Sequence, residues 1–313
     1  MPKIDGIPDA MSDVLALVRM RGEMVCATEF SAPWSISFRQ PLSHFHIVER
    51  GAAWLVLDGE AEPIRLNAGD LAILPLGAGH VLQSALGLAA EPVMTALQDR
   101  SIRDGSVYRH GGGGDETHVV CGQFSFGGVL APRLLSLLPK LIHVEPTPGR
   151  PLEWLRLTSH FLVDEVRNPK PGSAIMLGRL LDLLFVQAVR EWGAKRPGAV
   201  GWLSGLSDPQ VGRALSALHE EPARAWTVEA LADVAGLSRS AFAARFLDVV
   251  GQTPLRYLAT WRLNLAADYL RAGAMRIGEI ARMVGYGSEA AFTRAFKAQF
   301  DVTPAAFRKG AAA

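Results

Sequence analysis

The spacing of apolar positions changes along the chain. Between about residues 24 and 130, short runs such as Ala53–Leu57, Leu71–Leu74 and Val119–Phe126 alternate with turn residues. The turns include Asp58-Gly59, Ala68-Gly69-Asp70 and Gly77-Ala78-Gly79. Closely spaced short strands with Gly and Pro turns predict an all-β barrel or sandwich. Gly111–Gly114 reads as a loop within it. Beyond Pro139 the period moves to 3.6, and Leu152–Val166 and Ala174–Trp192 each carry one apolar face, which predicts two helices. Asn168-Pro169-Lys170-Pro171-Gly172 breaks them apart, and Lys195-Arg196-Pro197-Gly198 ends the second. A short amphipathic helix is expected over residues 10–20, with Val14, Leu15, Leu17 and Val18 on one side.

The last hundred residues carry one pattern twice. Leu231-Ala232-x-x-Ala235-Gly236-Leu237-Ser238 precedes Phe242, Phe246, Gly251, Thr253-Pro254 and Tyr257. Ile280-Ala281-x-x-Val284-Gly285-Tyr286-Gly287-Ser288 precedes Phe292, Phe296, Thr303-Pro304 and Phe307. Gly287 is an extra turn residue in the second copy. Each copy reads as a helix, a glycine turn and a second helix, over about residues 227–250 and 277–300. Thr227, Ser238 and Ser288 are predicted N-caps, and Leu255–Arg271 a long helix between the copies. Phe242 with Phe246, and Phe292 with Phe296 and Phe300, fall on the buried face of each second helix.

The opposite faces are then free to enter a major groove. In the first copy that face shows Ser238, Arg239, Ser240, Ala243 and Ala244. In the second it shows Glu289, Ala290, Thr293, Arg294 and Lys297. Arg takes guanine bidentately, Glu accepts from cytosine, and Ala touches the thymine methyl. Lys297 lies further along and suits a phosphate. Charge adds little. From residue 205 onward 13 Lys/Arg face 10 Asp/Glu, a net of +3, and the whole chain carries +1. A purely architectural DNA binder, which depends on a strong basic surface, is thereby disfavoured.

Residues 209–309 resemble the DNA-binding domain of the AraC/XylS family of bacterial transcription regulators, above all in Ile280-Ala281-x-x-Val284-Gly285-Tyr286, Phe292, Phe296, Phe300 and Thr303-Pro304. The resemblance implies a reader of bipartite double-stranded sites that acts, often as a homodimer, by recruiting or blocking RNA polymerase. Ala243 and Ala244 depart from it, standing where family members often carry larger contacting side chains.

In the β region His44-Phe45-His46 sets two imidazoles on one strand face, and Gly69-x5-Pro75-x-Gly77-x2-His80 supplies a third. These resemble the two motifs of the cupin fold. Glu49 follows His46 too closely for the first motif and, without a bulge, points to the opposite strand face. His44, His46 and His80 are a candidate donor set for a divalent metal such as Zn²⁺, Ni²⁺ or Fe²⁺. The other reading makes them hydrogen-bonded barrel residues. Trp34, Phe38 and Trp54, with His46 and His80, are candidate lining for a small-molecule effector pocket. The two cysteines, Cys26 and Cys121, lie in apolar strand-like surroundings. They read as buried thiols or as a redox pair.

The expected fold is α+β and multidomain. Residues 1–145 form a cupin-like sensor barrel, 146–204 a helical linker offering a dimer seam, and 205–313 an all-α double helix-turn-helix domain. The expected function is sequence-specific DNA binding under the control of a small-molecule or redox effector. The alternative is a metal-dependent cupin enzyme fused to a DNA-binding tail. Two cysteines give no disulfide framework, and no apolar stretch is clean enough for a membrane span, so a cytoplasmic location is expected.

Overall fold

A computed structural model of the chain describes residues 20–40, 42–93, 107–127, 138–146, 152–194 and 208–311, with Ala131 and Leu135. The helix expected over residues 10–20 and the stop at Lys195–Gly198 fall outside them, apart from Met20, which opens the first strand. The chain divides into two compact units, one running from Met20 to Trp192 and one holding the C-terminal helices.

The first unit contains β1 (Met20–Ser31), β2 (Ser35–Phe38), β3 (Ser43–Arg50), β4 (Ala52–Leu57), β5 (Ile64–Asn67), β6 (Leu71–Leu74), β7 (His80–Gln83), β8 (Glu91–Pro92), β9 (Tyr108–Gly111), β10 (Glu116–Phe126) and β11 (Ile142–Val144). They form two sheets, ordered β11-β6-β3-β10-β1-β9 and β5-β4-β7-β2-β8. The inward residues of both sheets, among them Phe30, Trp34, Ile36, Phe38, Val48, Leu55, Leu66, Leu82, Val119 and Cys121, make one core. Closely spaced strands with Gly turns thus give the expected barrel-like sandwich.

β10 is buried on both faces, which explains its nearly continuous apolar run. Val119 and Cys121 point inward, while Phe124 and Phe126 point outward. The outer face is covered by α1 (Glu153–Arg167) and α2 (Ser173–Ala194), which match the two helical periods. Phe185 of α2 packs on Phe124 and Phe126, with each pair of ring centres 5.5 Å apart. Arg167 of α1 pairs with Glu29 at 2.9 Å. Leu181 lies so close over Gly22 that a Cβ there would sit 1.9 Å from its Cδ1.

The second unit consists of α3 (Pro209–Glu220), α4 (Val228–Ala235), α5 (Arg239–Val250), α6 (Pro254–Ala272), α7 (Ile277–Met283), α8 (Glu289–Phe300) and α9 (Pro304–Ala311). The predicted caps form. Thr227 Oγ1 accepts from the Ala230 N–H, Ser238 Oγ from Ala241, and Ser288 Oγ from Ala291, at 3.1, 3.3 and 3.2 Å. Gly236 ends α4 in the left-handed conformation (φ 70°), as the turn requires. Gly251 does the same for α5, whereas α8 ends on Asp301 at φ 62°. Asp is one of the few side chains that tolerate this region, so the second copy needs no glycine there. Phe242, Phe246, Phe292 and Phe296 are fully buried. Phe300, expected in the same stripe, is half-buried between Phe296 and Phe307.

Three arginines hold this unit together from within. Arg213 donates to the Val234 and Ala235 carbonyls at the end of α4. Arg308 donates to Met275 O. Arg262 of α6 donates to Pro222 O and Arg224 O before the first copy, and its guanidinium also lies against Gly285 in the turn of the second.

Gly22→Ala should cost the first unit about 1–3 kcal/mol, because the new Cβ would also lie 2.7 Å from the Leu181 Cβ, which no rotamer change can move. Urea unfolding checks this. In a double-mutant cycle, Leu181→Ala should recover part of the loss.

Candidate functional site

The two second helices of the repeats present the expected faces. On α5, Arg239, Ser240 and Ala244 are exposed and Ala243 is half-buried, opposite buried Phe242 and Phe246. On α8, Glu289, Ala290, Arg294 and Lys297 are exposed and Thr293 is half-buried, opposite Phe292 and Phe296. Ser238 is exposed, but its hydroxyl is engaged as the cap of α5. Arg239 is held in an ion pair, its Nε 2.9 Å from Glu229 Oε1 on α4. Arg245, also exposed, pairs with Asp208 at 2.8 Å. Sequence periodicity missed Glu229, because a polar residue at the second position of a helix looks like ordinary solvated surface.

In the barrel, strand register does something no local motif reveals. Cys26 of β1 is the cross-strand partner of Cys121 on β10, and Cys121 is the partner of His46 on β3. The next partner along is Ala72 on β6. Cys26, Cys121 and His46 therefore form one row on the inner face. His80 reaches the end of that row from β7 in the other sheet, with its Nε2 2.8 Å from His46 Nε2.

The protons in this row can be assigned. His80 Nδ1 lies 2.9 Å from the Ala78 carbonyl, which only accepts, so Nδ1 carries the hydrogen and Nε2 is bare. His46 Nε2–H must then donate to His80, leaving His46 Nδ1 bare to accept from the Cys121 thiol at 3.1 Å. Burial keeps both imidazoles neutral. It carries His46 well below its ordinary value, helped by neighbouring His80 and His44, and lowers His80 to about 4. When Cys26 ionises, its thiolate takes a hydrogen bond from Cys121. That bond lowers the Cys26 thiol despite burial, and the same bond together with burial pushes Cys121 up.

The candidate metal set fares differently. His46 and His80 turn their Nε2 atoms on each other, and His44 meets Gln123 Nε2 at 3.4 Å. A bulge does intervene at Glu49, since Val48 and Arg50 pair with the adjacent Val119 and His118. Glu49 nevertheless points outward, accepting from Ser159 Oγ of α1 at 2.7 Å. Among the described residues no group of three or more His, Cys, Asp or Glu side chains is placed to hold a metal ion. The residues present thus do not fit a cupin metal centre. Of the candidate effector residues, Trp34, Phe38, His46 and His80 lie together in the interior, with Phe38 stacked on His80 at 4.7 Å. Trp54 does not join them. It is half-buried on the opposite face of β4 from Ala53 and Leu55, beneath Arg65.

Residues 9–194 match the family described as Cupin, and residues 231–310 match the helix-turn-helix domain. A putative AraC-like transcription regulator from Streptomyces lividans is 38% identical over 306 residues, covering 96% of this chain and 98% of that protein. The chain belongs to the AraC-like transcription regulators. The HTH-type transcriptional regulator AlkR of Acinetobacter baylyi is 30% identical over 96% of this chain and 99% of its own length. The solved DNA-binding domain of AdpA in complex with a target DNA is 31% identical, over 33% of this AraC-like chain and 92% of that one, with a TM-score of 0.32. No helix among the described residues of this regulator is long and apolar enough to cross a membrane.

The buried imidazoles make the barrel acid-sensitive. Above the ordinary histidine value of 6.5, His80 is neutral folded or unfolded. Below it the unfolded chain takes up a proton that the folded one refuses, so stability falls until about pH 4. His80 alone should cost about 1 kcal/mol at pH 5.5, and His44 and His46 act in the same direction. Denaturant titrations of the wild type and His80→Asn between pH 7.5 and 5.5 check this. The variant should show the shallower pH slope.

Proposed function

We propose that this transcription regulator reads two adjacent major grooves, α5 in one and α8 in the next, under the control of a signal received by its barrel. The carrying observation is the doubled unit, in which each second helix buries a phenylalanine pair and leaves a polar face outward. Two such helices one DNA turn apart span roughly 34 Å. On this reading Arg239, Ser240, Glu289, Thr293 and Arg294 face base edges, Ala243, Ala244 and Ala290 offer methyl contacts, and Lys297 and Ser238 lie near phosphates. The outcome is exerted on RNA polymerase in the cytoplasm. That relatives matching over nearly the whole chain are named transcription regulators supports a regulatory, non-enzymatic role.

The cross-strand row makes Cys26 and Cys121 our candidate receiver. A hydroperoxide would convert the two thiols to one disulfide, releasing water and an alcohol. Trp34, Phe38, His46 and His80 are the alternative receiver, for a small molecule, favoured by the buried indole N–H of Trp34, which has no hydrogen-bond partner among the described residues. Cys26→Ser and Cys121→Ser reporters challenged with oxidant decide between them, an unchanged response ending the redox reading.

The homodimer is proposed through α1 and α2, which expose Leu157, Phe161, Ile175, Met176 and Leu183. Phe161→Glu with Ile175→Glu should halve the mass seen by light scattering.

Arg294→Ala should weaken binding to a selected site by about 1–3 kcal/mol while leaving random DNA nearly unaffected. Equal loss on both would move Arg294 from base to phosphate. Competition gel shifts measure the two.

A further inference from the structure

The two copies of the repeat align on either side of the extra Gly287, and one pair of positions behaves alike in both. The second residue of the first helix touches the first residue of the second helix. In the first copy these are Glu229 and Arg239, joined by the ion pair at 2.9 Å. In the second copy they are Gly278 and Glu289, and the Glu289 carboxylate lies where a side chain at 278 would begin, with Oε2 2.8 Å from a Cβ built there.

The chemistry at the two positions is inverted. The first copy puts an acid on the supporting helix and a cation on the reading helix. The second removes the support side chain and puts the acid on the reading helix. In the first copy Glu229 Oε1 meets Arg239 at its Nε. A contact there is compatible with end-on presentation of the two terminal nitrogens to guanine O6 and N7. A free arginine side chain samples many rotamers, and ordering it on DNA costs free energy that the carboxylate has already spent in part. In the second copy an acid at 278 would repel Glu289, and even a methyl would displace it. Glycine lets the carboxylate settle, where it can accept from the cytosine amino group.

We propose that Glu229 and Gly278 are positioning residues that set base specificity, Glu229 aiming Arg239 at a guanine and Gly278 seating Glu289 for a cytosine. Neither touches DNA. This rests on the reading of α5 and α8 as the DNA-reading helices. It adds that the supporting helix fixes what each one reads.

The test uses the full-length protein and a random duplex library. Wild type should enrich a bipartite site with one strongly preferred G·C pair in the half read by α5 and another in the half read by α8. A bidentate contact carries roughly 5- to 150-fold discrimination. Glu229→Ala should cut the preference in the α5 half at least fivefold and leave the α8 half unchanged. Glu229→Gln, whose amide oxygen still accepts from Nε–H, should restore much of it. Gly278→Ala should weaken only the preference in the α8 half. Affinity for random DNA should hold within about twofold for all three, which a merely destabilised fold would not do. If the library yields a site and Glu229→Ala enriches the identical one, the positioning role is overturned while the reading helices stand. If wild type enriches no site, the DNA-reading assignment itself fails.

Discussion

The barrel depends on one register. β1, β10, β3 and β6 are aligned so that Cys26, Cys121, His46 and Ala72 fall in a single row across the sheet. Because side chains alternate with a period of two, a slip of one residue would turn the thiols and imidazole outward and bring Val120, Gly122, Phe45 and Ile47 inside. The row is pinned at its far end by the His46–His80 bond, which joins the two sheets through the core. Ala72 is small enough to leave room beside His46, and Phe38 covers the imidazoles from the side. Packing, proton placement and the pairing of the two thiols are thus set by one alignment.

Much of the fold is legible in the sequence. Turn glycines, caps and the phenylalanine spacing gave the helix-turn-helix pair almost residue by residue, because each signal is local. The strand texture and the two long helices were equally readable. The row was not. Cys121 and His46 are far apart in sequence, and alternation tells which face a residue takes but not which strand lies beside it. The same limit explains the metal expectation. Three histidines in cupin-like spacing suggest ligands, and only the register shows that two of them bond to each other and that Glu49 goes to Ser159. Trp54 departs from its expected place for a simpler reason. An aromatic in a strand looks like core, yet its neighbours Ala53 and Leu55 hold the inner face.

The arginines show why charge counts say little about DNA binding here. Arg213, Arg262 and Arg308 are committed to backbone carbonyls, and Arg224 and Arg245 to carboxylates. A net excess of three cations therefore describes neither the field nor the contacts on the reading face. What matters is which guanidinium groups the fold leaves to spare.

Arg262 has a mechanical consequence. Its guanidinium bonds to the loop that leads into the first helix-turn-helix while resting on the glycine turn of the second. It works as a bolt between two heads that share α6 and also meet where Gly285 lies against Ala223. The separation and relative twist of the heads are then properties of this unit, decided before DNA arrives. A regulator built this way measures DNA as a rigid caliper does. It should tolerate a wrong base in either half more readily than a single base pair inserted between them.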